Sequence, residues 1–317
     1  MQYGTIAGVE KPVSRVVQGL AGLTTQNTDF WFPVMDAVVE LGGNMFDLAH
    51  GYGGGECERA FGLWLRQRGN RDQLILQTKG AHHNADRQRV TPFDITADIH
   101  DSLARLKVEH IDLYILHRDD ESQPVGPIVD VLNEQQRAGK IGAFGGSNWS
   151  AARLQAANEY AAANGLLPFV ISSSNFSLAP QIKAPWDRCI SISNNEAELE
   201  FYRRTQMPLL PWSSLAGGFF SGRFRPDNLD SFTEYLDKLC VECYCSEENF
   251  ARLERAEKLA AEKGVTVTQI AMAFIANQGV NLFALTQARN RQEFEDSIAA
   301  RDMQLTQAEA DWLNLKS

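Results

Sequence analysis

Asp47-Leu-Ala-His-Gly-Tyr-Gly-Gly-Gly-Glu56 follows the short apolar run Gly43-Asn-Met-Phe46 and precedes the amphipathic stretch Cys57 to Gln67. The first flank reads as a buried strand and the second as a helix, so this is a strand-to-helix loop carrying an acid and a phenol. Two other apolar runs end in polar residues: Leu74-Ile-Leu-Gln-Thr-Lys79 in a lysine, and Ile111-Asp-Leu-Tyr-Ile-Leu-His117 in a histidine. Parallel strands closing into a barrel would gather these ends on one face, where such barrels place chemistry. Asp47, Tyr52, Lys79 and His117 are therefore the candidate catalytic residues.

The four side chains make chemical sense together. A buried lysine is costly alone but keeps its charge beside an aspartate, and its ammonium is expected to lower the pKa of a neighbouring phenol from the ordinary value of about 10. Tyr52 then serves as a general acid, while His117 hydrogen-bonds and orients a substrate oxygen.

Strand-like runs recur along the chain at Arg15 to Leu23, Asn44 to Leu48, Leu74 to Lys79, Ile111 to His117, Ile141 to Gly146, Phe169 to Ser174, Met207 to Trp212 and Asn281 to Leu285. Eight strands alternating with helix-length patterns predict an α/β chain, a (β/α)8 TIM barrel, as one domain over residues 1–317. Asp94 is the expected cap of a helix with Ile95, Ile99, Leu103 and Leu106 on one face, and Ile128 to Leu132 opens another that stops at Gly139. Ser213 to Tyr244 reads as a long polar, Gly-rich loop after the seventh strand, the length of a lid, before a helix started by Ser246.

Phe46-Asp-Leu-Ala-His-Gly-Tyr-Gly53, Gln77-Thr-Lys79, Ser102-Leu-Ala-Arg-Leu106, Ile111 to His117 and Gly145-Gly-Ser-Asn148 resemble, in order, the signatures of the aldo-keto reductases. The resemblance covers nearly the whole chain. It implies the barrel fold, with an N-terminal hairpin between Tyr3 and Val13 closing its floor. It also implies hydride transfer between a nicotinamide and a carbonyl or alcohol.

The cofactor contacts that the resemblance implies begin with Ser147 and Asn148 on the carboxamide, with Asp47 nearby, and Trp212 stacked on the ring. The loop Trp212 to Gly218 and Ser221-Gly-Arg223 would wrap the pyrophosphate through Ser213, Leu215, Gly217 and Arg223, while Gly19 and Leu20 lie under the cofactor. Ser173 stands where the family usually has a glutamine. At the adenine end, Thr286 and Gln287 replace Pro-Gly or Pro-Lys, Ser297 replaces an asparagine, and Glu293 falls where many members have an arginine or glutamine. Arg289 is placed to stack on adenine or pair with a phosphate. An acid repels a ribose 2′-phosphate but accepts bonds from a free ribose, so NAD and NADP both stay open.

Loops after the strands supply substrate candidates: Phe30 and Trp31, His82 and His83, Arg118 with Asp119 and Asp120, and Trp149. Aromatics beside carboxylates and imidazoles suit a polyhydroxylated or anionic carbonyl compound or sugar better than a steroid.

Composition narrows the alternatives. The chain of 317 residues is 44% hydrophobic and 22% charged, ordinary for a globular protein. A net charge of −10 and a pI near 5.2 leave no basic stripe for nucleic acid. No apolar run approaches the roughly 18 residues of a membrane span, and Met1 to Val16 lacks the order of a signal peptide, so a cytoplasmic location is expected. Cys240, Cys243 and Cys245 invite a metal reading, but none of the six histidines follows His117, and no metal site is expected. Oligomeric state is not legible in the pattern. Two other functions compete: a cofactor-binding regulatory subunit without turnover, and a non-redox sugar lyase or isomerase using the cofactor transiently.

Overall fold

Apolar runs that are buried on both faces form the centre of a computed structural model describing residues 1–316. The chain clusters into two units, Met1–Ser173 with Gln287–Arg291, and Ser174–Thr286 with Gln292 onward.

The first unit opens with a hairpin, β1 (Tyr3–Gly4) against β2 (Val13–Ser14). The Asn44 side chain ties it down, accepting from Ser14 N at 2.9 Å and donating to Pro12 O at 2.7 Å. Six strands follow: β3 (Val16–Gly19), β4 (Met45–Asp47), β5 (Ile75–Gly80), β6 (Ile111–Leu116), β7 (Ile141–Ser147) and β8 (Ser172–Ser173). From β4 onward each pairs in parallel with its predecessor. Every residue of β5 is buried, the continuous burial of a covered parallel sheet.

Helices fill the crossovers: α1 (Thr28–Glu40), α2 (Glu56–Arg68), α3 (Pro92–Leu106), α4 (Val125–Arg137) and α5 (Ala151–Ala163). The expected apolar face of α3 is present, with Ile95, Ile99, Leu103 and Leu106 buried. Its cap is not Asp94 but Thr91, whose hydroxyl accepts from Asp94 N at 3.2 Å. Pro92 sits at the first turn, where its missing N–H costs nothing, so the helix begins three residues earlier than an Asp94 cap would allow. Helix α4 stops as expected, with Gly139 at φ +70°.

The second unit carries α6 (Glu196–Thr205), α7 (Tyr235–Tyr244), α8 (Glu247–Lys263), α9 (Val267–Ala276), β9 (Ala284–Thr286), α10 (Arg291–Asp302, all but its first residue) and α11 (Gln307–Leu313). The expected strand Met207 to Trp212 shrinks to one bridge, Leu209 with Leu282. Pro208 and Pro211 lack N–H groups, so Leu209 alone donates, to Asn281 O at 3.0 Å, and accepts from Phe283 N at 2.8 Å. The lid Ser213 to Tyr244 is also less irregular than its polarity implied. It holds 3-10 turns at Ala216–Ser221 and Leu229–Ser231, and it ends in α7 because Cys240, Cys243 and Tyr244 share one buried face. Ser246 caps α8 as expected. Among the described residues no single helix is long and apolar enough to cross a membrane.

Helices α2 and α3 touch at Gly62, where a Cβ would lie 2.5 Å from the Leu106 carbonyl oxygen. Backbone cannot yield there as a side chain can. Gly62→Ala is therefore expected to destabilise the protein by about 1–3 kcal/mol in urea denaturation, despite the gain of about 1 kcal/mol that alanine brings to an exposed helix.

Candidate active site

Parallel register sets the site. Gly19 pairs with Asp47, Asp47 with Gln77, Lys79 with Ile115, Leu116 with Gly146, and Ser147 with Ser173. The strand ends bearing Asp47, Lys79, His117, Ser147 and Ser173 thus share one edge of the sheet. Gln77 and Lys79 point to one face because side chains alternate, so the lysine reaches the acid on the neighbouring strand.

Lys79 Nζ donates to Asp47 Oδ1 at 2.5 Å and to Leu48 O at 3.1 Å, and both side chains are 4% exposed. With its amide nitrogen turned to the acid, Gln77 donates to Asp47 Oδ1 at 2.9 Å. Burial alone would depress the lysine's pKa, yet Asp47 and Tyr52 together raise it, and the ammonium stays charged.

Tyr52 begins a 3-10 turn in which Gly53 and Gly54 take φ +57° and +64°, a left-handed backbone that glycine adopts without strain. Lys79 Nζ lies 5.0 Å from the centre of the phenol ring. The His117 imidazole stands edge-on to that ring at 5.6 Å. Here the expected direction of the phenol's titration is reversed. Burial pushes the Tyr52 pKa up to about 12, Lys79 opposes it, and the Asp47 carboxylate cancels part of that opposition. The phenol holds its proton across the neutral range.

Burial drives the His117 pKa well below the usual imidazole value, and the charges of Lys79 and Arg118 push the same way. The ring is neutral at pH 7, and its buried Nδ1 has no partner.

Next to the tetrad, Ser147 Oγ donates to Ser173 O at 2.6 Å, and Asn148 Nδ2 donates to His117 O at 3.2 Å and to Ser147 Oγ at 3.1 Å. Asn148 has φ +61°, a conformation asparagine tolerates better than most residues. Leu20 N donates to Asp47 O at 3.1 Å, which fixes the Gly19–Leu20 turn to the acid's own backbone.

Among the substrate candidates, the half-buried His82 ring lies 4.8 Å from that of His117. Trp149 is fully buried, packs on Phe169 at 4.9 Å and donates from Nε1 to Arg118 O at 3.1 Å. Its indole is part of the core. Arg118 is buried and donates to His117 O at 2.9 Å, while Trp31 is buried on α1.

Gln287 lies beside Gly22, which Trp31 also approaches, and the Arg289 guanidinium lies 5.4 Å from the Phe30 ring centre.

Within the second unit, Trp212 is half-buried and 6.1 Å from Trp186, and its carbonyl accepts from Asn175 Nδ2 at 3.0 Å. Ser213 and Gly217 take φ +51° and +63°, and Leu215 is half-buried between them. Arg223 is bonded to Asp237. Glu293 is exposed in the first turn of α10, and Ser297 Oγ donates back to Glu293 O at 2.8 Å. Cys240 packs against the Ala216 carbonyl at 3.6 Å. Among the described residues Cys240, Cys243 and Cys245 do not bring three ligand atoms together.

The sequence reading missed the charged side chains behind the tetrad. His50 faces α3, with Nε2 at 3.2 Å from Asp101. Glu58 and Arg105 meet at 3.2 Å, although each falls on a helix read for its apolar stripe.

The profile of the Aldo/keto reductase family matches residues 15–315. A probable aryl-alcohol dehydrogenase of Saccharomyces cerevisiae is 26% identical over 300 residues, covering 91% of this chain and 88% of that protein. A norsolorinic acid reductase of Aspergillus flavus is 28% identical over 306 residues, covering 92% and 72%. The fold is similar to that of a glycerol dehydrogenase from Gluconobacter oxydans, with a TM-score of 0.79, 23% identity, and coverage of 98% of this chain and 93% of that one.

The Asp47–Lys79 pair makes a stability prediction. Asp47→Leu leaves a buried ammonium without its partner and is expected to cost about 3–5 kcal/mol in urea denaturation. The double variant Asp47→Leu with Lys79→Met should regain most of that loss.

Proposed function

The chain belongs to the aldo/keto reductase family and is an oxidoreductase acting on carbonyl and alcohol groups, and we propose that Tyr52 is its proton donor. The observation that carries this reading is the buried Asp47–Lys79 pair set beside a phenol that keeps its proton and a neutral imidazole.

In this reading a bound nicotinamide supplies or accepts the hydride. Tyr52 Oη gives its proton to the carbonyl oxygen, and the Lys79 ammonium offsets the phenolate charge that this leaves. Asp47 keeps Lys79 charged. His117, neutral, donates a hydrogen bond to the same oxygen without competing for the proton. A raised phenol pKa makes Tyr52 a weaker acid but keeps it fully protonated near neutral pH, the form that carbonyl reduction needs, and the Lys79 ammonium must stabilise the phenolate as the proton leaves. Alcohol oxidation needs the phenolate and should accelerate as pH climbs.

The residues fit a nicotinamide by the chemistry of their donors. Ser147 and Asn148 offer a hydroxyl and an amide at the strand ends, and Ser173 supplies a shorter contact that a water would extend. Trp212 is the stacking shelf, with Ser213, Leu215, Gly217 and Arg223 toward the phosphates; Arg223 must then exchange Asp237 for phosphate. Gln287, Arg289, Glu293 and Ser297 are assigned to the adenosine end. There an exposed acid favours a free ribose, and so NAD over NADP.

The substrate is a small carbonyl compound, with His82 lining its site. The relatives and the structural neighbour are named for aryl alcohols, norsolorinic acid and glycerol, so an aromatic aldehyde and a short hydroxyaldehyde together make the first screen. As a small-molecule enzyme of this kind we place the protein in the cytoplasm.

Tyr52→Phe removes the donor and almost no volume. Reduction should fall by about a thousandfold or more, with the quenching of tryptophan fluorescence by NADH or NADPH unchanged. Retained turnover would remove Tyr52 from the mechanism. In the wild type, kcat for reduction should stay flat from about pH 7 to 9, because the phenol remains protonated there. Glu293→Arg should shift the ratio of NADH to NADPH affinities toward NADPH by about tenfold; an unchanged ratio would show that Glu293 does not face the ribose.

A further inference from the structure

Behind the loop that carries Tyr52 lies a set of charged side chains that proton transfer does not use. Arg105, in the last turn of α3, donates from Nη1 to the His50 carbonyl at 2.9 Å and to Glu58 Oε2 at 3.2 Å. Its guanidinium occupies the space over Gly55, where a Cβ would lie 2.6 Å from Cζ. Gly55 itself has φ +91°, so that position is closed to a side chain on two counts.

Glu58 is fully buried, and its second oxygen accepts from Thr78 Oγ1 at 2.7 Å. Thr78 directly precedes Lys79. On the other side of Lys79, Ala81 N donates to Asp98 Oδ2 at 2.8 Å. His50 closes the set: its N–H donates to Lys79 O at 2.7 Å, and its Nε2 lies 3.2 Å from Asp101 and 3.5 Å from Asp98. The same two helices thus grip the lysine's strand on both sides and the midpoint of the phenol's loop.

We propose that Arg105 and Glu58 are positioning residues that fix the Tyr52 loop against the Lys79 strand from behind, touching neither substrate nor cofactor. The ordering of groups argues for this over a merely stabilising role. A buried carboxylate and a half-buried guanidinium could have been replaced by apolar side chains at little cost in stability. Instead, Glu58 holds the residue before Lys79 and Arg105 holds the carbonyl two residues before Tyr52, although Arg105 also lies 3.7 Å from the exposed Asp101 on its own helix. Displacement of about 1 Å at a reacting group lowers turnover by about a hundredfold, so the network acts through kcat. The proposal rests on Tyr52 as proton donor.

The test uses Arg105→Met, Arg105→Lys and the double variant Arg105→Met with Glu58→Gln, which leaves no buried charge unpaired if the single variant fails to fold. Steady-state reduction of an aldehyde, nicotinamide affinity by fluorescence quenching, and the urea midpoint are measured on each. The expected result for the folded double variant is a kcat lower by about tenfold to a hundredfold, with nicotinamide affinity and carbonyl KM within about twofold of wild type. Arg105→Lys, which keeps one donor for the His50 carbonyl, should recover part of the loss. A folded double variant with wild-type kcat would overturn the proposal and leave the network a stability device. Full activity in Tyr52→Phe alongside reduced kcat in the double variant would instead overturn the proton-donor reading, and with it the positioning role.

Discussion

A lysine ammonium and an aspartate carboxylate held out of water within 2.5 Å of each other are the constraint on which the first unit depends. Removing either charge from solvent is expensive, and the attraction between them offsets that cost only when the geometry is kept and the remaining donors and acceptors are satisfied. Strand β5 supplies the lysine, β4 the acid, Leu48 a carbonyl for the ammonium and Gln77 an amide for the carboxylate. One consequence is electrostatic. Tyr52 sits where burial and one positive charge compete, and burial prevails, so the phenol is a proton store rather than a ready base.

The pair can be this close because the register is parallel and small residues crowd the strand ends. Gly80, Gly145 and Gly146 stand where a Cβ would run into Tyr114, Ile171 and Trp149 respectively. These neighbours are large, buried and immovable, which gives the edge of the sheet a fixed outline. On that outline Asn148 adopts a left-handed backbone, and its side chain returns to the carbonyl of His117. Positions of three successive strand ends are in this way referred to one another by hydrogen bonds and not by packing alone.

Much of this was legible from residue order. Apolar runs ending in Lys79 and His117, and the acid and phenol after Phe46, marked both the parallel sheet and the edge that carries the tetrad. The Thr91-Pro92 start of α3 was missed because Asp94 is itself a good capping residue; only the proline in between distinguishes the two. Pro208 and Pro211 were on the page as a warning against a full strand at Met207 to Trp212. The phenol's titration could not be read, because it depends on how much solvent is excluded, a quantity that residue spacing does not carry. The same blindness covered Trp149, whose place after a strand end resembled a pocket position until its indole was seen packed on Phe169. Glu58 and Arg105 went unremarked for a related reason: a charge on a helix face looks solvated until tertiary structure buries it.

Gln18 on β3 donates from Nε2 to the carbonyl of Ala288, 270 residues further along the chain and within the same unit. Synthesis from the N-terminus therefore supplies the residues of β3 to β8 long before the segment Gln287–Arg291 that completes the unit. Without that segment Gln18 loses one of its two amide hydrogen bonds, and contacts of such large sequence separation are slow to form. Chain topology thus leaves completion of this unit, as distinct from its central ladder, to its last few residues.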